Sequence, residues 1–285
     1  MKRYTIEGTI DLVAVAIERL KCFEEIALQM HPAGYYVAFS GGKDSDVIRI
    51  LCVLAGVKHE LWHNHTTVDA PETVRYVRSI PDININYPEM SMWALIVKKG
   101  FPPTRVARYC CEYLKEGGGK GRFVVTGVRK SESTLRADRA VAEIVSKNKK
   151  NKVVFTGDND ENKRAMYTCQ VRGTRVLNPI VDWTDKDVWD FLHYHGCKSN
   201  PLYEERGYKR VGCIGCPMAQ GRFGQLWEFS HYPKYKELYI RTFDKLLKER
   251  EYLTWKSGEE VFDWWTSGKP APKQLEGQMD LLDFI

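Results

Sequence analysis

The most constraining feature of this chain is the passage from an apolar run through two glycines directly into a helical pattern. Tyr35-Tyr36-Val37-Ala38-Phe39 has the composition of a buried strand, Ser40-Gly41-Gly42-Lys43-Asp44-Ser45 follows, and residues 46–55 carry apolar side chains at helical spacing. A strand that turns on glycine into a helix leaves the helix's first N–H groups unpaired beyond the strand's end, and such a place binds anions. Gly41 and Gly42 let the backbone approach phosphate oxygens, Ser40 and Ser45 can add hydroxyl donors, and Lys43 supplies a compact positive charge. A Walker loop needs Ser or Thr directly after Gly-Lys; here Asp44 intervenes, which excludes a P-loop NTPase. Asp44 also suits a helix cap, so a plain strand-to-helix turn is the structural alternative.

Strand and helix signals alternate along the next part of the sequence. A helix over 9–29 precedes the loop; strands are predicted at 60–65, 83–87, 122–126, 153–156 and 175–180, with helices opening near Pro71 and over 90–99 and 185–194. Repeated β-then-α units imply an α/β fold, a mainly parallel twisted sheet with helices on both faces in the Rossmann manner. After Pro217 the sequence changes to aromatic, charged helices over 232–251 and 259–265, which predicts a nucleotide-binding domain over 1–218 and a helical C-terminal extension over 219–285. The longest apolar stretches, such as 47–57, are broken by Arg49, and Met1-Lys2-Arg3-Tyr4 does not open a signal peptide, so a cytoplasmic protein without membrane association is expected. The net charge of +6 favours an anionic partner, and nucleotide, sulfate or nucleic acid would each satisfy it.

The hexapeptide 40–45, placed after a first strand, resembles the pyrophosphate loop of the ATP-pyrophosphatase and phosphoadenosine-phosphosulfate (PAPS) reductase superfamily, the adenine nucleotide alpha hydrolases. Four further stretches are similar to the same family, in order. Thr66-Thr67-Val68-Asp69-Ala70-Pro71-Glu72-Thr73 is like its segment after strand two, and 127–137, from Gly127-Val128-Arg129 to Arg136-Ala137, is like its Gly-x-Arg-x-x-(Glu/Gln)-Ser-x-x-Arg-Ala motif. Asn178-Pro179-Ile180-Val181-Asp182-Trp183-Thr184-Asp185-Lys186-Asp187-Val188-Trp189 resembles the lead into its late helix, and Asn200-Pro201-Leu202-Tyr203 the approach to its late cysteines. The resemblance implies an adenine nucleotide, be it ATP, adenylyl sulfate or PAPS, bound by Ser40 to Ser45, Asp69, Gly127, Arg129 and Arg136, with Lys43 and Arg129 catalytic and Mg²⁺ a further expected component. Arg129 and Arg136 lie just past a strand's end, where open sheets place ligands, and guanidinium groups suit phosphate or sulfate. With Lys130 and Arg139 they would equally make a solvated basic face.

Four of the eight cysteines form two tight groups, Cys110-Cys111 and Cys213-x-x-Cys216; Cys22, Cys52, Cys169 and Cys197 are scattered, the first two within apolar helical patterns that predict core. A Cys-Cys pair followed much later by Cys-x-x-Cys resembles the arrangement by which adenylyl-sulfate reductases hold a [4Fe-4S] cluster; zinc on the same four thiolates is the metallic alternative. Adjacent cysteines point in different directions, so Cys169 or Cys197 stands in reserve for Cys110 or Cys111. Lys115, one turn beyond Cys111, matches the lysine that follows the cysteine in the family motif.

Family members that release sulfite use a nucleophilic cysteine near the C-terminus, and no cysteine follows Cys216 here. The resemblance therefore leans toward relatives that adenylate an acceptor and exchange oxygen for sulfur, DNA-phosphorothioation sulfurtransferases among them, with a nucleic acid or a small molecule as sulfur acceptor. An adenylating enzyme with structural zinc and a nucleotide- or nucleic-acid-binding module without turnover are the other readings. Gln278-x-x-Leu281-x-x-Phe284-Ile285 is similar to peptides that dock on sliding clamps, beside the plainer reading of a tail packed on its own domain.

Overall fold

The computed structural model describes residues 1–5, 8–145, 152–169, 171, 173–219, 221–250 and 255–269. In chain order these form β1 (Lys2–Thr5), β2 (Gly8–Asp11), α1 (Leu12–Met30), β3 (Tyr35–Ala38), α2 (Lys43–Ala55), β4 (His59–Asn64), α3 (Pro71–Arg78), β5 (Ile83–Asn86), α4 (Met92–Lys99) and α5 (Tyr109–Leu114). There follow β6 (Phe123–Val125), β7 (Ala142–Val145), β8 (Val153–Phe155), α6 (Asp160–Thr168), β9 (Thr174–Leu177), α7 (Asp185–Tyr194), α8 (Leu202–Glu205), α9 (Gly221–His231), α10 (Pro233–Glu249) and α11 (Gly258–Ser267). The clamp-like peptide at 278–285 lies outside the described residues.

Two compact units emerge, one of Met1–Asn64, Glu72–Asn86 and Gly118–Val211, the other of His65–Pro71, Tyr87–Gly117 and the described residues from Gly212 onward. The division expected at 218 follows chain order, whereas these units interleave along it.

The first unit is built on a seven-stranded sheet in the order β5-β4-β3-β6-β9-β7-β8. Neighbours from β5 to β9 run parallel, and β7 is antiparallel to both β9 and β8. This is the mainly parallel α/β sheet expected from the sequence. From β3 the chain moves outward through β4 and β5, then returns to the other side of β3 as β6, so the sheet's direction of growth reverses between β3 and β6. Open α/β sheets bind ligands in the crevice at such a reversal, and the glycine loop follows β3 while Gly127 and Arg129 follow β6.

Local chemistry fixes the elements. The helix predicted over 9–29 starts at Leu12, because residues 8–11 pair with 2–5 as a hairpin and Asp11 then caps α1, its carboxylate accepting from Val13 N at 3.0 Å. Asp44 and Asp46 lie in the first turn of α2, where the helix dipole favours anions, and Gly56 at φ 68° ends it. Thr184 and Asp187 form a capping box that starts α7 at the predicted residue. Tyr35 packs edge-on against Phe123 at 5.5 Å and its hydroxyl donates to Leu20 O at 2.7 Å, tying β3 to α1 within a core that includes Cys52 and is flanked by Cys22.

An aromatic assembly holds the second unit. Tyr239 of α10 meets Trp93 of α4 and Trp265 of α11, each with ring centroids 4.8 Å apart, and Trp265 Nε1 donates to Pro103 O at 2.6 Å. Phe229 of α9 adds an edge contact to Phe262 at 5.0 Å. Such rings bury large apolar area with fixed geometry, and the indole N–H is satisfied as burial requires. Among the described residues no helix is long and apolar enough to cross a membrane.

Candidate functional site

In the first unit the glycine loop leaves β3 as the sequence predicts. Gly41 sits at φ 75°, a left-handed conformation that L side chains rarely take, and a Cβ there would come within 3.0 Å of Val77. Gly42 is the N-cap of α2. The loop is braced from inside: Ser45 Oγ donates to Gly42 O at 2.6 Å, Gly42 N to Ser40 Oγ at 3.3 Å, and the Asn200 amide to Gly41 O and Thr73 Oγ1, both at 3.0 Å. Tyr203, in the short helix α8, accepts from Lys43 N at 3.0 Å, so its hydroxyl occupies one of the donor positions at the helix start.

Arg129 is among the most deeply buried side chains, 2% exposed, yet it carries a full charge. Its guanidinium donates from Nε to Asp44 Oδ1 at 2.6 Å and from the second terminal nitrogen to Asp185 Oδ1 at 2.9 Å, while Nη1 reaches Ser131 Oγ at 3.1 Å. The same Asp185 oxygen lies 3.0 Å from Lys43 Nζ, whose other acidic neighbour, Asp44, is 3.5 Å away. Burial raises the Asp44 carboxyl's pKa, and Lys43 and Arg129 offset this only in part. On the more exposed Asp185 burial also acts upward, but the same two cations outweigh it and its pKa is lowered. Gly127 is required at its place, since a Cβ would stand 2.8 Å from Asp44 O. Arg136 pairs closely with Glu132, which also accepts from Arg129 N, so the second motif arginine acts on the loop that presents the first.

Two residues beyond Asp44 along α2, Asp46 is fully buried, accepts from the Tyr76 hydroxyl at 2.7 Å, and burial pushes its pKa up to about 7.

The second unit holds the paired cysteines. Cys110 and Cys111 lie in α5, and the thiol of Cys110 donates to Cys111, which holds Cys111 below the usual thiol range, aided by Arg108, whose guanidinium is 3.6 Å from its sulfur. Cys213 is buried and its pKa is raised by burial; it bridges to Asp69 in antiparallel fashion and its thiol faces Thr66 Oγ1 at 3.5 Å. Lys115, the C-cap of α5, is held charged chiefly by Cys213, with Asp69, Cys216 and Cys111 adding to it. The Cys-x-x-Cys turn is clamped by α9: Gly215 N donates to Glu228 at 2.8 Å and the Gln225 amide donates to Gly215 O at 2.9 Å. Thr67, a β-branched residue at φ 65°, is strained in the segment that carries Asp69.

The predicted residues thus fall into two groups. Ser40 to Ser45, Gly127, Arg129 and Arg136 share the first unit; Asp69, Cys110, Cys111, Cys213 and Cys216 share the second, and Cys169 and Cys197 belong to the first. Sequence reasoning did not single out Asp185, Tyr203, Asn200 or Glu228 for any role. Asp185, Tyr203 and Asn200 stand in quoted motifs, which was a signal; Glu228 had none.

A parallel sheet with a glycine-led anion loop and a buried arginine at its reversal defines an α/β protein of the nucleotide-binding kind. The chain belongs to the phosphoadenosine phosphosulfate reductase domain family, whose model matches residues 34–219. It is 26% identical over 84% of its length to an uncharacterized protein of Methanocaldococcus jannaschii, covering 53% of that protein. It is 32% identical to the adenosine 5'-phosphosulfate reductase of Burkholderia cepacia over 46% of this chain and 55% of that one. Among solved structures, a PAPS reductase from Candida auris in a phosphate complex matches at 19% identity and a TM-score of 0.45, over 70% of this chain and 87% of that one. The chain spans about half or less of the length of the first curated relatives it matches, 39% to 55%.

Proposed function

We propose that the protein is an enzyme of nucleotide-activated sulfur chemistry, binding an adenine nucleotide at the loop of its first unit and carrying a [4Fe-4S] cluster on the cysteines of its second. The observation that carries the reading is the convergence of Lys43, the N-terminus of α2 and the buried Arg129 at the sheet's reversal. Donors fixed before a ligand arrives are what stabilise developing phosphate charge. The loop N–H groups and Lys43 hold the departing phosphate or pyrophosphate oxygens, and Arg129 orients the oxygens of the group that reacts.

The donor set of the second unit fits a thiolate-bound group. Cys110, Cys111, Cys213 and Cys216 would hold it, and Lys115 would offset its negative charge. When bound, such a cluster supplies electrons or a labile coordination site for sulfur.

Anaerobic purification with iron and acid-labile sulfide analysis tests the cluster: about four of each per chain are expected, lost in Cys213→Ala and Cys216→Ala. Stoichiometric zinc in place of iron would favour an adenylating enzyme without sulfur chemistry. Calorimetric titration with ATP and with adenylyl sulfate tests the loop, and Lys43→Ala is expected to weaken binding at least about tenfold.

A further inference from the structure

The first unit's loop is charge-neutral before any ligand binds. Lys43 and Arg129, 5% and 2% exposed, contribute two positive charges, and Asp44 and Asp185 contribute two negative ones, all linked by contacts of 2.6 to 3.5 Å. A single Asp185 oxygen holds both cations at once, at 3.0 and 2.9 Å. Its backbone is fixed at the first turn of α7 by the Thr184–Asp187 capping box, while its side chain stays 65% exposed. One donor at the helix start, Lys43 N–H, is taken by the Tyr203 hydroxyl.

On the reading that this loop holds the nucleotide, we propose that Asp185 is a specificity-determining residue: it makes the loop select a nucleotide polyphosphate that arrives with a divalent cation over a bare sulfonucleotide or inorganic anion. An anion without a counter-ion must break both contacts of Asp185 and then lies beside two carboxylates whose cations it has taken. Like charges at such separations repel, and the partly desolvated surroundings screen them weakly. A ligand that carries Mg²⁺ reverses the sign of that interaction, because the carboxylates then face a cation. Mg²⁺ keeps several of its waters when bound through one or two carboxylates and phosphates, so the exposed Asp185 needs no rearrangement of the fold to meet it.

The experiment is calorimetric titration of the full chain with three ligands: ATP with Mg²⁺, ATP with chelator, and adenylyl sulfate with chelator. The wild type is expected to bind the first at least about tenfold more tightly than the other two. Asp185→Asn, isosteric and at an exposed position, should shrink that preference to less than about threefold by gaining affinity for the metal-free ligands. Asp185→Ser provides a second variant should the asparagine disturb α7. A wild type that binds adenylyl sulfate without metal as tightly as ATP with Mg²⁺, or a preference unchanged in both variants, overturns the inference. If Lys43→Ala weakens binding but the Asp185 variants change nothing, only the role of Asp185 fails. Binding of every ligand that is indifferent to Lys43 sinks the nucleotide-loop reading and the inference with it.

Discussion

In the first unit a handful of consecutive residues meet one arginine from the next strand in the sheet; in the second, four thiols are gathered from two distant stretches and fixed by helices whose own sequences say nothing of sulfur. The loop is held by charge and hydrogen bonding, with Asp44, Arg129, Asp185 and Lys43 in one connected set. The cysteine region is held by rings, with Tyr239, Trp93 and Trp265 at its centre. Ionic construction gives geometric exactness at the cost of sensitivity to pH and to loss of any one partner. Apolar construction tolerates changes of charge but not of volume.

This contrast can be broken at its strongest point by comparing Arg129→Ala with Trp265→Ala. Each should lower stability by about 3–5 kcal/mol, the first by leaving the half-buried Asp44 carboxylate without its closest partner and the second by opening a cavity. Urea unfolding at several pH values separates them: acid protonates Asp44 and should shrink the cost of Arg129→Ala, while the cost of Trp265→Ala stays level. Equal pH dependence would erase the distinction.

Next in size is Asp46. Its pKa is raised from 3.8 to about 7 by burial, so the folded state binds more protons than the unfolded one between these values, and stability falls as pH rises through that window. Asp46→Asn should flatten the fall and raise stability above pH 7 by on the order of 2–4 kcal/mol, read from Tm against pH. Gly127→Ala follows, with about 1–3 kcal/mol from forcing a Cβ onto the Asp44 backbone, together with weaker nucleotide binding. Smallest is Ser257→Ala in the second unit, where loss of the N-cap of α11 should cost about 1 kcal/mol and, being uncharged, should show no pH dependence.

The same contrast explains what could be read from the sequence. The loop is contiguous, so strand composition, glycines and helical spacing located it, and α7 begins and ends where its capping and apolar spacing predict. Asp185 stood in a quoted motif but drew no role, because that role comes from meeting Lys43 and Arg129 in space. Strand β7 was missed for a different reason: it carries Glu143, a charged residue whose burial is compensated by Arg139 and Lys152 at 3.1 and 3.2 Å. No alternation of polar and apolar residues announces a strand that buries its glutamate. Residues 9–11 of β2 were absorbed into a predicted helix because they continue the helical spacing of α1. The interleaving of the second unit was illegible, since it depends on which helices find Trp93 and Trp265.

That interleaving also sets an order of events for the nascent chain. Cys110 and Cys111 leave the ribosome long before Cys213 and Cys216, and Trp93 of α4 must wait for α10 before it meets Tyr239. Contacts so remote in sequence form late, because closing the intervening chain costs entropy before any contact repays it. At synthesis rates of about 5–20 residues per second, the first thiol pair spends seconds exposed to solvent before its partners exist. Maturation of the second unit is therefore timed by translation of its C-terminal helices, and a ribosome stalled before Gly212 would leave the first two sulfurs without the helices that complete their unit.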